Sequence, residues 1–189
     1  MCHPDFTALN AASIVAFIGD IFELRGADSY LGEAVTMSEH MLQGAQLAEE
    51  AGAGEHMVAA ALLHDIGHYT NDFSDDALAQ GIDNHHDEAG AAVIDPYFPS
   101  VVIDCVRDHV AAKRYLCATD PGYFNRLSEK PRLTRLACKA ARWTRRKLRN
   151  TRALALRAEL ITNKSTNRCH GANRQMPGIG LAAIGSERA

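Results

Sequence analysis

The sequence predicts an all-α protein, a bundle of helices joined by short loops. Apolar residues recur at three- and four-residue spacings through the first 129 of the 189 residues, which is the spacing of one helix face. No segment alternates polar and apolar residues as a half-buried strand does. Glycine and proline fall between the periodic segments, where they end helices. These three observations together favour helices over strands.

Five helices are predicted in this part of the chain. Their bounds are Ala11–Leu24, about Val35–Ala51, His56–His68, roughly His85–Ile94 and Val101–Leu116. Gly26 ends the first and Gly52 the second, because glycine commonly follows the last helical residue. The third contains MVAAALL, is apolar nearly all round and is therefore central. A polar loop over 69–83, with one short helical turn, precedes the fourth; Pro96 closes the fourth and Ser100 can cap the fifth.

Length and composition fit one globular domain. Of the 189 residues, 47% are hydrophobic and 23% charged, enough for one full core. No run of about 18 apolar residues occurs, and the N-terminus lacks the basic and apolar regions of a secretory signal. Five scattered cysteines without C-x-x-C spacing fit reduced thiols. We therefore expect a cytoplasmic protein without a membrane partner; its oligomeric state is left open.

Charge divides the chain after residue 129. Residues 1–129 carry a net charge of −16, whereas residues 130–189 carry +13. This split predicts a core domain, 1–129, and a basic tail, 130–189, of different character. A basic tail is typical of nucleic-acid binding, but Trp143 is its only aromatic residue and glycine–aromatic interleaving is missing. Nucleic acid is therefore the less favoured partner.

The histidines and one aspartate predict a metal centre between the helices. His64 and Asp65 adjoin at the end of the most apolar helix, where a buried carboxylate needs a cation or another partner. His40 lies on the preceding helix, and His86 and His109 lie on the two that follow. Helical bundles build metal sites from such inward-facing side chains. Nitrogen and oxygen ligands suit iron, manganese or zinc, and the spacing leaves that choice open.

Four strings that carry these residues resemble a known family. They are YLGEAVTMSEHMLQGA at 30–45, AALLHDIGHYTND at 60–72, DNHHDEAGAAVI at 83–94 and DHVAAKRYLCATDPGYFNRLSE at 108–129. The order His, His-Asp, His, His resembles the HD-domain superfamily, most members of which are metal-dependent phosphohydrolases. Together the strings resemble its di-iron oxygenases that cleave organophosphonates. An HD-domain helical bundle is the fold that this resemblance implies.

The resemblance implies two iron ions, as an Fe(II)/Fe(III) pair, with O2 as cosubstrate. The implied ligands are His40 and His64 for one iron, His86 and His109 for the other, and Asp65 as the bridge. The family spacing H-x-x-x-G selects His86 over His85, because Gly90 lies four residues after His86. The partner is then a small-molecule organophosphonate.

Further catalytic residues are implied around the metals. His68 and Lys113 each lie four residues after a predicted ligand, on the same helix face, and would be cationic donors to a phosphonate. Tyr30 and Glu33 lie in the Y-x-G-E string, the lid loop of this family. There the tyrosine occupies an iron position until substrate displaces it, and the glutamate lies near the amino end of the substrate.

The implied reaction is oxidative cleavage of a carbon–phosphorus bond. The substrate would be a 1-hydroxy-2-aminoethylphosphonate, giving phosphate and glycine, or its trimethylammonium counterpart, giving phosphate and glycine betaine. The segments GEAVTMSEHMLQGA and HHDEAGAA favour the trimethylammonium compound. A carboxylate beside an aromatic ring also suits a quaternary ammonium. A metal-dependent phosphohydrolase is the alternative enzyme, against which the Y-x-G-E and K-R-Y-L-C strings speak.

The resemblance ends after Glu129. The family takes its sixth metal ligand from a late aspartate, and this chain has no aspartate after Asp120. Codons for residues 129–151 can be chosen so that a displaced reading frame restores the missing family strings LSEAS and LQGGPM. We therefore predict that residues 130–189 result from a frameshift and that the chain binds metal less well than its relatives. The alternative is an inactive HD scaffold with a genuine basic tail that binds nucleic acid.

Overall fold

The structure, a computed structural model, describes residues 9–28, 35–70, 85–119 and 122–123. These residues form five α-helices and one short 3-10 helix, and the all-α prediction is confirmed. The helices are α1 (Ile14–Arg25), α2 (Met37–Glu50), α3 (Glu55–Leu63), α4 (His86–Ile94) and α5 (Ser100–Thr119). Tyr30, Glu33, the helical turn predicted within 69–83 and the tail at 130–189 lie outside the described residues.

Helix α3 is the centre of the bundle, as its apolar composition predicts. All five residues from Ala59 to Leu63 are buried, and α3 packs against both α2 and α5. Small alanine side chains let the neighbouring helices approach closely, so that side chains at the end of α3 lie between them. None of the helices in the described part of the chain combines the length and the apolar composition that crossing a bilayer would require.

The end of α3 differs from its prediction. The helix ends at Leu63 rather than His68, with His64 as its C-cap. Asp65 then leaves helical geometry, at φ −105° and ψ 11°, and a separate 3-10 helix, Ile66–Tyr69, follows. The buried side chains of Ile66 and Tyr69 continue the apolar pattern across this break, which is why periodicity alone extends the helix too far.

Helix α2 begins with a capping box that fixes its first turn. Thr36 Oγ1 accepts a hydrogen bond from the backbone N–H of Glu39 at 3.2 Å, and the backbone N–H of Thr36 donates to Glu39 Oε2 at 2.7 Å. His40 follows directly. At the other end Gly52 adopts a φ of +71°, the left-handed conformation in which glycine ends a helix.

The 3-10 helix and α4 approach so closely that a side chain on Gly67 would overlap α4 and one on Gly90 would be in tight contact with the 3-10 helix. A Cβ on Gly67 would overlap the carbonyl oxygen of His86, and a Cβ on Gly90 would lie 3.0 Å from the backbone nitrogen of Gly67. These two glycines therefore set the distance between the turn after Asp65 and the first turn of α4. Ser100, predicted as a cap, is instead the first residue of α5.

Candidate metal centre

Asp65 lies at the centre of four imidazoles and presents one oxygen to each of two pairs. Its Oδ2 is 3.4 Å from Nε2 of His40 and 3.2 Å from Nε2 of His64. Its Oδ1 is 3.4 Å from Nε2 of His86 and 3.2 Å from Nε2 of His109. Within each pair the two Nε2 atoms are 3.2 Å apart. We call His40, His64 and Oδ2 the first triad, and His86, His109 and Oδ1 the second triad.

Four helices deliver these side chains to the interior. His40 comes from the first turn of α2, His64 from the end of α3, His86 from the start of α4 and His109 from the middle of α5. Asp65 and three of the histidines are at most 1% exposed, and the side chain of His86 is 13% exposed. The cluster therefore lies in the core and opens toward solvent at His86.

Backbone carbonyls fix the tautomers of two of the rings. Nδ1–H of His64 donates to the carbonyl oxygen of Ala61 at 2.8 Å, and Nδ1–H of His109 donates to that of Val106 at 2.7 Å. A neutral imidazole carries one N–H, so Nε2 of each ring turns a lone pair toward Asp65. Burial lowers the pKa of His109 to about 3, which keeps this ring neutral at physiological pH.

Asp65 stays ionised although it is buried. Burial by itself would raise the pKa of its carboxyl group, but the interaction with His64 and the positive charge of Lys113 hold it well below its usual range. Among the described residues, Oδ2 has no hydrogen-bond partner. One carboxylate oxygen and two imidazole nitrogens converge here at 3.2 to 3.4 Å in the protein interior, and a single cation between them would be bound by all three, so this donor set fits metal ions.

His68 reaches the cluster by a route that the sequence analysis does not predict. Because α3 ends before it, His68 does not share a helix face with His64; it lies on the 3-10 helix and stacks on His86, with ring centroids 4.1 Å apart. Ligand atoms of Asp65, His68 and His86 all lie within 4.8 Å of one another. Burial lowers the pKa of His68 to about 3, which keeps the ring neutral at physiological pH in the metal-free protein.

Lys113 is the positive charge that the structure places beside the cluster. It lies on α5 one turn after His109, as the unbroken helix predicts, and is partly buried. Its charge is among the causes that lower the pKa of Asp65. An ammonium at this point can attract an anionic ligand to the metal centre.

The two adjacent histidines before α4 are separated by the backbone. His85 has a φ of +48°, which is uncommon for a residue with a side chain, and its side chain is 60% exposed. Its Nδ1 lies 3.8 Å from Glu88, on the surface. The structure therefore brings His86, and not His85, into the cluster.

Sequence reasoning misses one residue that contacts the turn after Asp65. Nη1 of Arg25 donates to the carbonyl oxygen of Tyr69 at 3.2 Å, and its Cζ lies 5.1 Å from the centroid of the Tyr69 ring. An arginine in the last turn of a helix is usually a solvated charge, so no sequence signal marks this contact.

Comparison with known proteins identifies the family. A family profile described as the HD domain matches residues 37–162, more than half of the chain. This chain belongs to the HD-domain family. The match includes all four histidines of the two triads and Asp65.

The resemblance to phosphonate-cleaving members of this family is confirmed by named relatives. A 1-hydroxy-2-(trimethylamino)ethylphosphonate dioxygenase of Leisingera caerulea, described as forming glycine betaine, is 59% identical over 129 residues, 68% of this chain and 66% of the relative. A hydroxymethylphosphonate dioxygenase of Gimesia maris is 41% identical over 116 residues, 59% of this chain and 57% of the relative. This HD-domain chain thus spans 57 to 66% of the length of these two relatives.

Proposed function

We propose that this protein is an iron- and O2-dependent oxygenase that cleaves the carbon–phosphorus bond of a hydroxylated organophosphonate. The favoured substrate is 1-hydroxy-2-(trimethylammonio)ethylphosphonate, with phosphate and glycine betaine as products. The similarity to the Leisingera caerulea dioxygenase supports this choice. The observation that carries the metal part of the proposal is the division of the Asp65 oxygens between two pairs of imidazoles at 3.2 to 3.4 Å.

Each triad would hold one metal ion, with Asp65 as the bridge. Imidazole nitrogen and carboxylate oxygen are ligands that suit iron. Bound iron would supply the one-electron chemistry that O2 requires and would polarise oxygen atoms of the substrate. The hydrogen bonds from His64 and His109 to the carbonyl oxygens of Ala61 and Val106 would orient both rings and keep Nε2 free of a proton.

The remaining polar groups of the cluster would bind and orient the phosphonate. Two metal ions on one carboxylate leave a positive site, which complements a phosphonate dianion. Lys113 would add a further positive charge, and neutral His68 would offer a single N–H to a phosphonate oxygen. Tyr30 and Glu33 belong to the proposal through the resemblance: Tyr30 would occupy an iron position until substrate displaces it, and Glu33 would lie near the amino end of the substrate.

The decisive experiment measures phosphate release with and without O2. The full chain is loaded anaerobically with Fe(II) and given the trimethylammonium compound, the free amine or hydroxymethylphosphonate. We expect phosphate only after O2 is admitted, in an amount equal to the O2 consumed, and fastest from the trimethylammonium compound. Phosphate release from a phosphate ester without O2 would overturn the proposal in favour of the phosphohydrolase.

A matched pair of histidine variants separates the metal centre from general effects. His86→Ala removes a ligand of the second triad, whereas His85→Ala changes the exposed neighbour. We expect His86→Ala to lower kcat/KM by at least about a hundredfold, as loss of a metal ligand does, and His85→Ala to change it less than about threefold. Equal losses of kcat/KM in both variants would argue against a role of the second triad in binding metal.

A further inference from the structure

Arg25 connects the last turn of α1 to the turn that carries the metal-centre residues. On one side, Nη1 donates to the carbonyl oxygen of Tyr69 at 3.2 Å, and the guanidinium lies over the Tyr69 ring at 5.1 Å. On the other side, Nε and Nη2 each lie 3.2 Å from Oδ2 of Asp28. The planar guanidinium thus holds two elements at once, which a single-point donor such as lysine cannot reproduce.

The Tyr69 carbonyl belongs to the end of the 3-10 helix, where helices leave carbonyl groups without helical partners. Inside this turn the backbone N–H of His68 donates to the backbone carbonyl oxygen of Asp65 at 3.0 Å, and that of Thr70 donates to the carbonyl oxygen of Gly67 at 3.2 Å. Tyr69 itself is 1% exposed, so the contact from Arg25 meets a buried residue. A shift of this carbonyl would therefore move the same short turn that places Asp65 and His68.

We propose that Arg25 is a positioning residue for the metal centre: by holding the carbonyl group and ring of Tyr69, it fixes the Ile66–Tyr69 turn and with it Asp65 and His68. The effect on turnover rests on the proposed function, whereas the effect on the turn does not. In the described part of the chain, the contact of Arg25 with this turn runs through the carbonyl group and the ring of Tyr69.

The exposure of the Arg25–Asp28 ion pair separates the positioning role of Arg25 from a contribution to global stability. The side chains of Arg25 and Asp28 are 39% and 52% exposed, and ion pairs in such surroundings add little to global stability. The chain offers a matched control in Arg107, which is 45% exposed and pairs with Asp104 at 3.1 Å and Asp95 at 3.8 Å. Both arginines form surface ion pairs, but only Arg25 is seen to hold the turn after Asp65.

Amide hydrogen exchange of the full chain tests the proposal without depending on bound metal or activity. Peptides that span residues 64–70 are followed in the wild-type protein and in Arg25→Ala, Arg25→Lys and Arg107→Ala. We expect exchange in Arg25→Ala to be about tenfold faster at His68 and Thr70, the effect of losing one hydrogen bond. The exchange rate in Arg25→Lys should fall between those of Arg25→Ala and the wild type, and the rate in Arg107→Ala should equal the wild-type rate.

Two results would overturn the proposal. The first is that His68 and Thr70 exchange as slowly in Arg25→Ala as in the wild type. The second is that exchange is accelerated equally in Arg25→Ala and Arg107→Ala and that Tm falls equally in both, which would mean general destabilisation.

Kinetics add a readout that depends on the proposed function. We expect Arg25→Ala to lower kcat by about tenfold with a smaller change in KM, because the reacting groups and not the substrate contacts are displaced. Unchanged kcat in Arg25→Ala contradicts the positioning role. If the wild-type protein shows no turnover, the proposed function fails, and the exchange comparison still decides the role of Arg25.

Discussion

Asp65 is the residue on which both triads depend. Its carboxylate is buried at 1% exposure and meets four Nε2 atoms at 3.2 to 3.4 Å. Without metal this arrangement holds an anion in the core, where His64 and Lys113 keep its pKa below the usual range. With the proposed metal ions bound, the same atoms would become ligands. Single substitutions here should therefore remove the stabilisation that the proposed metal ions confer.

We predict that Asp65→Asn abolishes the stabilisation that metal confers. Metal that binds only the folded state should stabilise the wild-type protein by about 3 kcal/mol at a free concentration about a hundred times Kd. The amide is nearly isosteric but uncharged, so it no longer holds the cations. Thermal unfolding with and without Fe(II) or Zn2+ measures this.

Asp95→Asn is the control, since Asp95 is exposed and lies 3.8 Å from Arg107 in a surface ion pair. A metal-induced rise in Tm that survives in Asp65→Asn would contradict the bridging role.

At the scale of elements, the contact between the 3-10 helix and α4 sets the distance between Asp65 and His86. Gly67 and Gly90 meet backbone to backbone there. The second triad depends on this contact because His86 is the first residue of α4, whereas His109 is held by α5. A displacement of α4 would separate one ligand pair and leave the first triad in place.

We predict that Gly67→Ala weakens the second triad. The new methyl group would overlap the carbonyl oxygen of His86, so α4 must move away. Overpacking of this kind costs about 1–3 kcal/mol, and on the proposed function the site should hold one metal ion instead of two. Denaturant unfolding and metal analysis of the same samples measure both effects.

Gly19→Ala on α1 is the matched control, since a Cβ there meets nothing within 4 Å. It should stabilise the protein by up to about 1 kcal/mol, because alanine favours helix over glycine. Two bound ions in Gly67→Ala with wild-type affinity would contradict the prediction.

At the scale of the whole molecule, the buried histidines make the stability of the metal-free protein depend on pH. Burial lowers the pKa of His40 to about 4 and the pKa values of His68 and His109 to about 3, below the 6.5 of an exposed histidine. At pH values between each lowered pKa and 6.5, the unfolded chain binds a proton at that histidine and the folded chain does not. Acid therefore favours unfolding through these three groups.

We predict that the free energy of unfolding of the metal-free protein falls as pH drops below about 6.5, by about 1.4 kcal/mol per pH unit for each such histidine. Above that pH the three groups are neutral in both states and contribute no slope. Asp65 adds a loss only at lower pH, because its pKa is held below the usual range. Urea unfolding between about pH 7.5 and pH 5 measures the slope; a flat profile would contradict this account.

The missing late aspartate predicts unequal metal affinities. On the proposed function, the late aspartate that the resemblance implies would be a ligand of the ion held by His40 and His64, so the first triad should release its ion at a lower chelator concentration than the second. Metal analysis during a chelator titration of the full chain, compared with His40→Ala, measures this. Two ions that leave together, with normal turnover, would contradict the prediction and would argue that the chain supplies a ligand from beyond the described residues.

Periodicity and the order of histidines and aspartate along the chain predict the helical class, the central position of α3 and the residues of the cluster, and the family spacing selects His86 over His85. The break after Leu63 depends on one backbone turn within an otherwise regular apolar pattern, so periodicity does not show it. The division of the Asp65 oxygens between two pairs of imidazoles, the burial that lowers the pKa of His68 and the contact of Arg25 with Tyr69 are visible only in the folded chain. They depend on distances between separate elements, which packing sets and which no residue spacing along the chain encodes.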